Sequence, residues 1–117
     1  MAAEHLEGSV LATLRDVMEN EYPVLLDTFI VDSEERLRGL QQGLEGADAQ
    51  ALRLAAHSFK GSCSNMGASL LAGLCKQLED CARREQLEQA PALVEQIARE
   101  FAIVRILLKS ERQRYAN

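Results

Sequence analysis

Apolar residues return every three or four positions along almost the whole chain, and this spacing limits the fold more than any other feature. Leu93, Ile97, Phe101, Val104 and Leu108 fall on one side of a helix turning about 100° per residue. Leu26, Phe29, Ile30, Leu37, Leu40 and Leu44 do the same. No proline interrupts residues 24 to 90, and the two prolines, Pro23 and Pro91, sit where a first helical turn accepts them. No stretch alternates with the period of two that a strand requires. The spacing predicts five helices, at about Ser9–Asn20, Pro23–Leu44, Asp48–Met66, Ser69–Gln86 and Pro91–Arg114. Ser9 and Asp48 read as N-caps, and Gly67 reads as a left-handed stop. The first helix is short, with Val10, Leu14 and Val17 on its apolar side. The fourth carries Leu71, Leu74, Cys75, Leu78 and Cys81. Short connections favour antiparallel neighbours. The expected fold class is therefore all-α: an antiparallel up-and-down four-helix bundle with a short extra N-terminal helix. It would form a single domain over residues 1–117 with a core of about 9–114.

Composition excludes several functions. The 117 residues include 47% hydrophobic but only 4% aromatic residues, so the core must be mainly aliphatic. A formal charge of −5 gives no basic footprint for nucleic acid. Cys63, Cys75 and Cys81 are odd in number and include no Cys-x-x-Cys pair. They read as reduced core thiols of a cytoplasmic protein, with neither a disulfide framework nor a zinc site. No apolar run reaches membrane-spanning length, and "MAAEHLEGSV" lacks the succession of a signal peptide. The expectation is a cytoplasmic protein that binds neither nucleic acid nor membrane.

The third helix has an unusual outward face. With His57 as zero, Leu52, Ala56, Phe59, Cys63 and Met66 cluster at about 180–260° and mark the buried side. Arg53, Lys60, Gly61 and Ser64 lie within about 60° of His57. An exposed imidazole keeps a nucleophilic lone pair at neutral pH. Lys60, taken as exposed, would favour an anion on that ring, and Arg53 would add weaker positive potential. Ser64 is small and can donate a hydrogen bond. Gly61 costs about 1 kcal/mol relative to alanine within a helix, so it calls for a reason. Its angle excludes helix packing and leaves clearance for another protein. Such a face suits a phosphoryl group carried on His57. Leu54, about 60° away on the other side from Lys60, offers an apolar contact beside it. His5 lies in an N-terminal segment expected to be mobile and lacks this setting.

These residues resemble a known family. "AHSFKGSCSNMGA", Ala56 to Ala68, is similar to the signature of histidine-containing phosphotransfer (HPt) domains: a His, any residue, Leu or Phe, Lys-Gly, small residues and a hydrophobic-Gly pair. "LLAGLCKQLEDCAR", with its Leu78-Glu79 pair, resembles the family's next helix, and "LLDTFIVDSEERLRGLQQGL" the preceding one. The resemblance spans about Leu14 to Leu108 and is to a stand-alone HPt protein of the pseudomonad type. Phe59, where leucine is commoner, is its main departure.

The resemblance implies a phosphorelay intermediate without autokinase activity. His57 would accept a phosphoryl group on Nε2 from the receiver-domain aspartate of a hybrid sensor kinase, then pass it to the aspartate of a response regulator. Lys60 would stabilise the phosphoryl charge and Gly61 would leave room for the receiver. Arg53, Leu54, Ser58 and Ser64 are the expected partner-binding residues. No metal or cofactor is expected on this chain, Mg²⁺ being held by the partner receiver, and the protein is expected to be a monomer.

Two other readings compete. A histidine-kinase dimerisation helix would follow its histidine with an acidic residue and then a proline, and Ser58 and the proline-free stretch oppose it. A helical adaptor that docks receiver or other signalling domains, with His57 never phosphorylated, leaves the Lys60-Gly61 pair unexplained.

Overall fold

A computed structural model describes residues 5–115. Five helices account for most of them: α1 (Gly8–Met18), α2 (Tyr22–Glu45), α3 (Ala49–Met66), α4 (Ser69–Arg83) and α5 (Ala90–Gln113). Single 3-10 turns, Glu19–Glu21 and Leu87–Gln89, lead into α2 and α5. Both prolines lie in the first turn of their helices, as expected. Asp48 caps α3 by accepting from the Ala51 N–H, and Gly67 ends it at φ 79°. The four long helices form the expected bundle. α2 packs on α3 and α5, and α4 packs on the same two, which leaves α3 and α5 diagonal to one another. Phe59 of α3 and Phe101 of α5 meet edge to face across that diagonal, with ring centroids 6.3 Å apart. Among the described residues no helix is long and apolar enough to cross a membrane.

The buried side of α3 is the expected one: Leu52, Ala56, Phe59, Cys63 and Met66. All five residues of the expected α5 stripe are buried too. On α4, Leu71, Cys75 and Leu78 are buried, whereas Leu74 and Cys81 are only partly covered. The three thiols are free.

Four local expectations are corrected. Ser9 is not a cap: α1 begins at Gly8 behind Glu7, and the Ser9 carbonyl instead accepts from the Thr13 hydroxyl inside the helix. Val17 is 72% exposed, because the packed side of α1 is drawn by Leu11, Leu14 and Met18. α4 ends at Arg83, three residues early, where Glu85 adopts a positive φ. His5 is held in place, with its Nδ1 2.6 Å from a carboxylate oxygen of Glu100 on α5.

The N-terminal segment also clasps the turn between α3 and α4. The Glu7 N–H donates to the Gly67 carbonyl, and Val10 packs so closely that a Cβ on Gly67 would lie 2.9 Å from its own Cβ. Gly67 therefore has two reasons to be glycine, a left-handed φ and a close neighbour. This contact anchors the end of the helix that carries His57.

Candidate functional site

His57 stands midway along α3 with its side chain 65% exposed, on the face turned from the core. The sequence placed it there from periodicity alone. Two flanks run beside it. Toward α4 lie Arg53, Lys60 and Ser64, and toward α2 lie Leu54, Ser58 and Gly61.

The α4 flank contains a residue that the site reading missed. Glu79 is buried, with its side chain 5% exposed, and its carboxylate is shared among three cationic or donor groups. Its Oε2 lies 2.8 Å from His57 Nδ1 and 3.2 Å from an Nη of Arg83; its Oε1 accepts from Lys60 Nζ at 2.7 Å. Burying a carboxylate without partners is costly, and three partners make it tolerable. The Lys60 hydrogen bond is the main reason that the Glu79 carboxyl is held down to about 2; the His57 bond adds to it and burial opposes both. Glu79 is thus an anion at any ordinary pH.

A signal for Glu79 was present in the sequence. It lies one turn after Cys75 and one turn before Ala82, both buried, so it is a carboxylate set into the apolar stripe of α4. A buried acid implies partners. Which partners it has depends on how α3 and α4 are registered, and periodicity within a single helix does not contain that.

This carboxylate determines what the imidazole can do. An ionised carboxylate only accepts hydrogen bonds, so the hydrogen between the two groups belongs to Nδ1. In the neutral ring the lone pair is then on Nε2, at the exposed edge. Lys60 departs from its expected role as an exposed lysine. Its side chain is only 26% exposed and its ammonium is tied to Glu79. It reaches the site as part of a His57–Glu79–Lys60 unit, not as a free charge.

The other expected site residues occupy the same face with different surroundings. Gly61 is exposed, and a Cβ built on it meets nothing within 4 Å, so no packing contact explains it. Leu54 is 53% exposed beside the histidine. Ser58 is engaged within the chain, accepting from Arg36 Nε of α2 at 3.1 Å. Arg53 lines a cavity of about 220 Å³ with Gln50, Ala82 and Arg83, which opens beside the Glu79 cluster. Ser64 is exposed at the next turn. Among the described residues no group of three or more His, Cys, Asp or Glu side chains is arranged to hold a metal.

The family model described as "Hpt domain" matches residues 24–107, which includes all of α3 and α4 and most of α2 and α5. No curated protein sequence matches the chain. The chain is similar to a solved structure, the crystal structure of histidine-containing phosphotransfer protein B (HptB) from Pseudomonas aeruginosa PAO1. The two are 68% identical and superpose with a TM-score of 0.96, over 98% of this chain and all of that one. On the family match and on this identity over nearly its full length, the chain belongs to the Hpt domain family, whose members carry phosphoryl groups on histidine in two-component signalling.

Proposed function

We propose that His57 is the phosphoryl carrier of this protein and that Nε2 is its reacting atom. The observation that carries the proposal is the hydrogen bond from Nδ1 to Glu79, since it leaves the lone pair on the exposed nitrogen. In the forward step Nε2 attacks the phosphorus of a receiver's aspartyl phosphate. The N–P bond forms, the P–O bond breaks, and the aspartate leaves with its electron pair. Nδ1 keeps its proton throughout, so the phosphorylated ring carries a positive charge that Glu79 stabilises. In the second step an aspartate of another receiver attacks the same phosphorus and the ring is released unchanged.

Lys60, i+3 from His57, supplies positive charge near the phosphoryl oxygens, and transfer of this kind is mostly electrostatic stabilisation and positioning. Gly61 leaves the approaching receiver the space that a side chain would occupy. Arg53, Leu54 and Ser64 form the rim on which it docks. The donor is the receiver of a hybrid sensor kinase and the acceptor a response regulator. Mg²⁺ belongs to the receiver and no cofactor to this chain. The protein works as a cytoplasmic monomer and does not phosphorylate itself.

Incubation with a phosphorylated receiver tests the proposal. The expected result is one acid-labile phosphate that maps to His57, with no incorporation from ATP when no kinase is present. A chain that binds receivers yet never takes up phosphate would be an adaptor, and the proposal would fail.

A further inference from the structure

Most cations of this chain are already matched to carboxylates. Among the described residues, Arg36, Arg53, Arg84 and Lys109 have no ion-pair partner, and every other lysine and arginine has one. In a chain of net charge −5, two of these four flank His57. Arg53 lies one turn before it on the α4 side. Arg36 comes from α2 and occupies the opposite flank.

Arg36 has a nearer carboxylate available to it along its own helix. Asp32 stands four residues earlier, and an Asp followed by Arg at i+4 is a favoured pairing on a helix surface. The structure does not make that pair. Arg36 instead reaches across to α3, where Nε donates to Ser58 Oγ. Both Nη nitrogens are left without a hydrogen-bond partner among the described residues. A guanidinium fork is therefore held beside the residue that follows His57, on the same flank of α3 as Gly61.

We propose that Arg36, aimed by Ser58, anchors a carboxylate at the rim of the receiver's phospho-aspartate site and helps to select which receivers exchange phosphate with His57. This rests on the phosphotransfer reading above. A partner that presents an aspartate and binds a hard divalent cation must gather several carboxylates around the reacting group. Planar, bidentate recognition of carboxylate is what a guanidinium does best. Placed at the edge of the contact, such a charge acts on encounter and orientation, not on the chemical step. Arg36 is accordingly a positioning and selecting residue.

The test is the rate of phosphoryl transfer from a receiver that labels the wild type, measured against receiver concentration and salt. Arg36→Gln should raise KM about fivefold, with the maximal rate unchanged and a flatter salt dependence, as expected for loss of one rim charge. Arg36→Glu should raise KM further, and Ser58→Ala should raise it less than Arg36→Gln does. Arg36→Lys, which keeps the charge and loses the fork, should fall between wild type and Arg36→Gln. Urea unfolding at the wild-type midpoint assigns these effects to docking; a lower midpoint that accounts for the kinetic loss would overturn the proposal. Wild-type KM and salt dependence in Arg36→Gln would overturn it as well, as would a lower maximal rate at unchanged KM. Ser58→Ala indistinguishable from wild type would overturn the aiming role. Failure of the wild type to accept phosphate from any receiver would instead count against the phosphotransfer reading itself.

Discussion

Both histidines of this chain place Nδ1 on a buried glutamate, yet their surroundings differ throughout. His5 meets Glu100 of α5 at 2.6 Å, and His57 meets Glu79 of α4 at 2.8 Å. Among the described residues, Glu100 has no other side-chain hydrogen-bond partner, and its contact ties the N-terminal segment to the bundle. Glu79 is shared with Lys60 and Arg83, which keeps it ionised and brings positive charge to the ring it holds. His57 is also followed by open space at Gly61, whereas His5 borders a cavity lined by Leu6, Leu11, Leu107 and Glu111. The same histidine–glutamate contact thus sits in two different settings. Cations around the carboxylate and clearance around the ring distinguish the two.

The sharpest way to break this comparison is to remove each imidazole in turn. His57→Gln should abolish uptake of phosphate from a phosphorylated receiver, while His5→Gln should be labelled to the wild-type extent. Label on His57→Gln, or its loss in His5→Gln with the fold intact, would reverse the assignment.

Clearance is the next difference to test. Alanine at Gly61 should raise stability by up to about 1 kcal/mol, since the position is helical and open. Glutamine should likewise fold no worse than glycine, but its side chain would enter the space beside His57. Transfer requires the reacting atoms within about 3–3.5 Å, so Gly61→Gln should accept phosphate far more slowly at an unchanged or higher urea midpoint. Normal transfer by the folded variant would remove the clearance argument. A lower midpoint would mean that the position is packed.

Charge on the carboxylate can be read from stability. The carboxyl of Glu79 falls from the ordinary 4.5 to about 2 in the fold. A lowered value favours the folded state above the unfolded value, and the benefit fades as pH falls through the folded one. Glu79→Gln should therefore cost about 2 kcal/mol at neutral pH, after allowance for the exposure of His57 and Arg83. Its deficit against wild type should shrink between about pH 4.5 and pH 2. A deficit independent of pH would mean that Glu79 contributes shape and not charge.

Lys60→Ala should show the smallest effect of the series. Transfer should slow several-fold while the fold persists, because Arg83 and His57 still partner Glu79 and salt partly screens the lost charge. Unchanged kinetics would show that the ammonium serves Glu79 alone.

Much of this was legible in the chain before folding. The helices, the Asp48 cap, the Gly67 stop and the two faces of α3 follow from local rules: backbone preference, capping and a repeat near 3.6 residues act over a few neighbours. The same rules bring His57, Lys60 and Gly61 onto one face, since all three lie within about one turn of a single helix. Local rules erred where a second element takes part. Ser9 looks like a cap, but the fold starts α1 one residue earlier. Val17 continues an apolar stripe that Leu11, Leu14 and Met18 rotate out of use. Lys60 looks exposed from its own helix, but burial against α4 covers most of it.

The sequence by itself thus determined the fold class, the outward position of His57 and the bare surface beside it. Only the tertiary structure decided which nitrogen of that histidine is tied to a carboxylate. Glu79 is 22 residues away in the chain and touches Nδ1 only because α3 and α4 pack in one register. The same packing brings Arg36 from α2 to Ser58 and the N-terminal segment to Glu100 and Gly67. Hydrogen bonds act at about 3 Å, so partners far apart in sequence are decided by how helices dock and not by periodicity within any one of them.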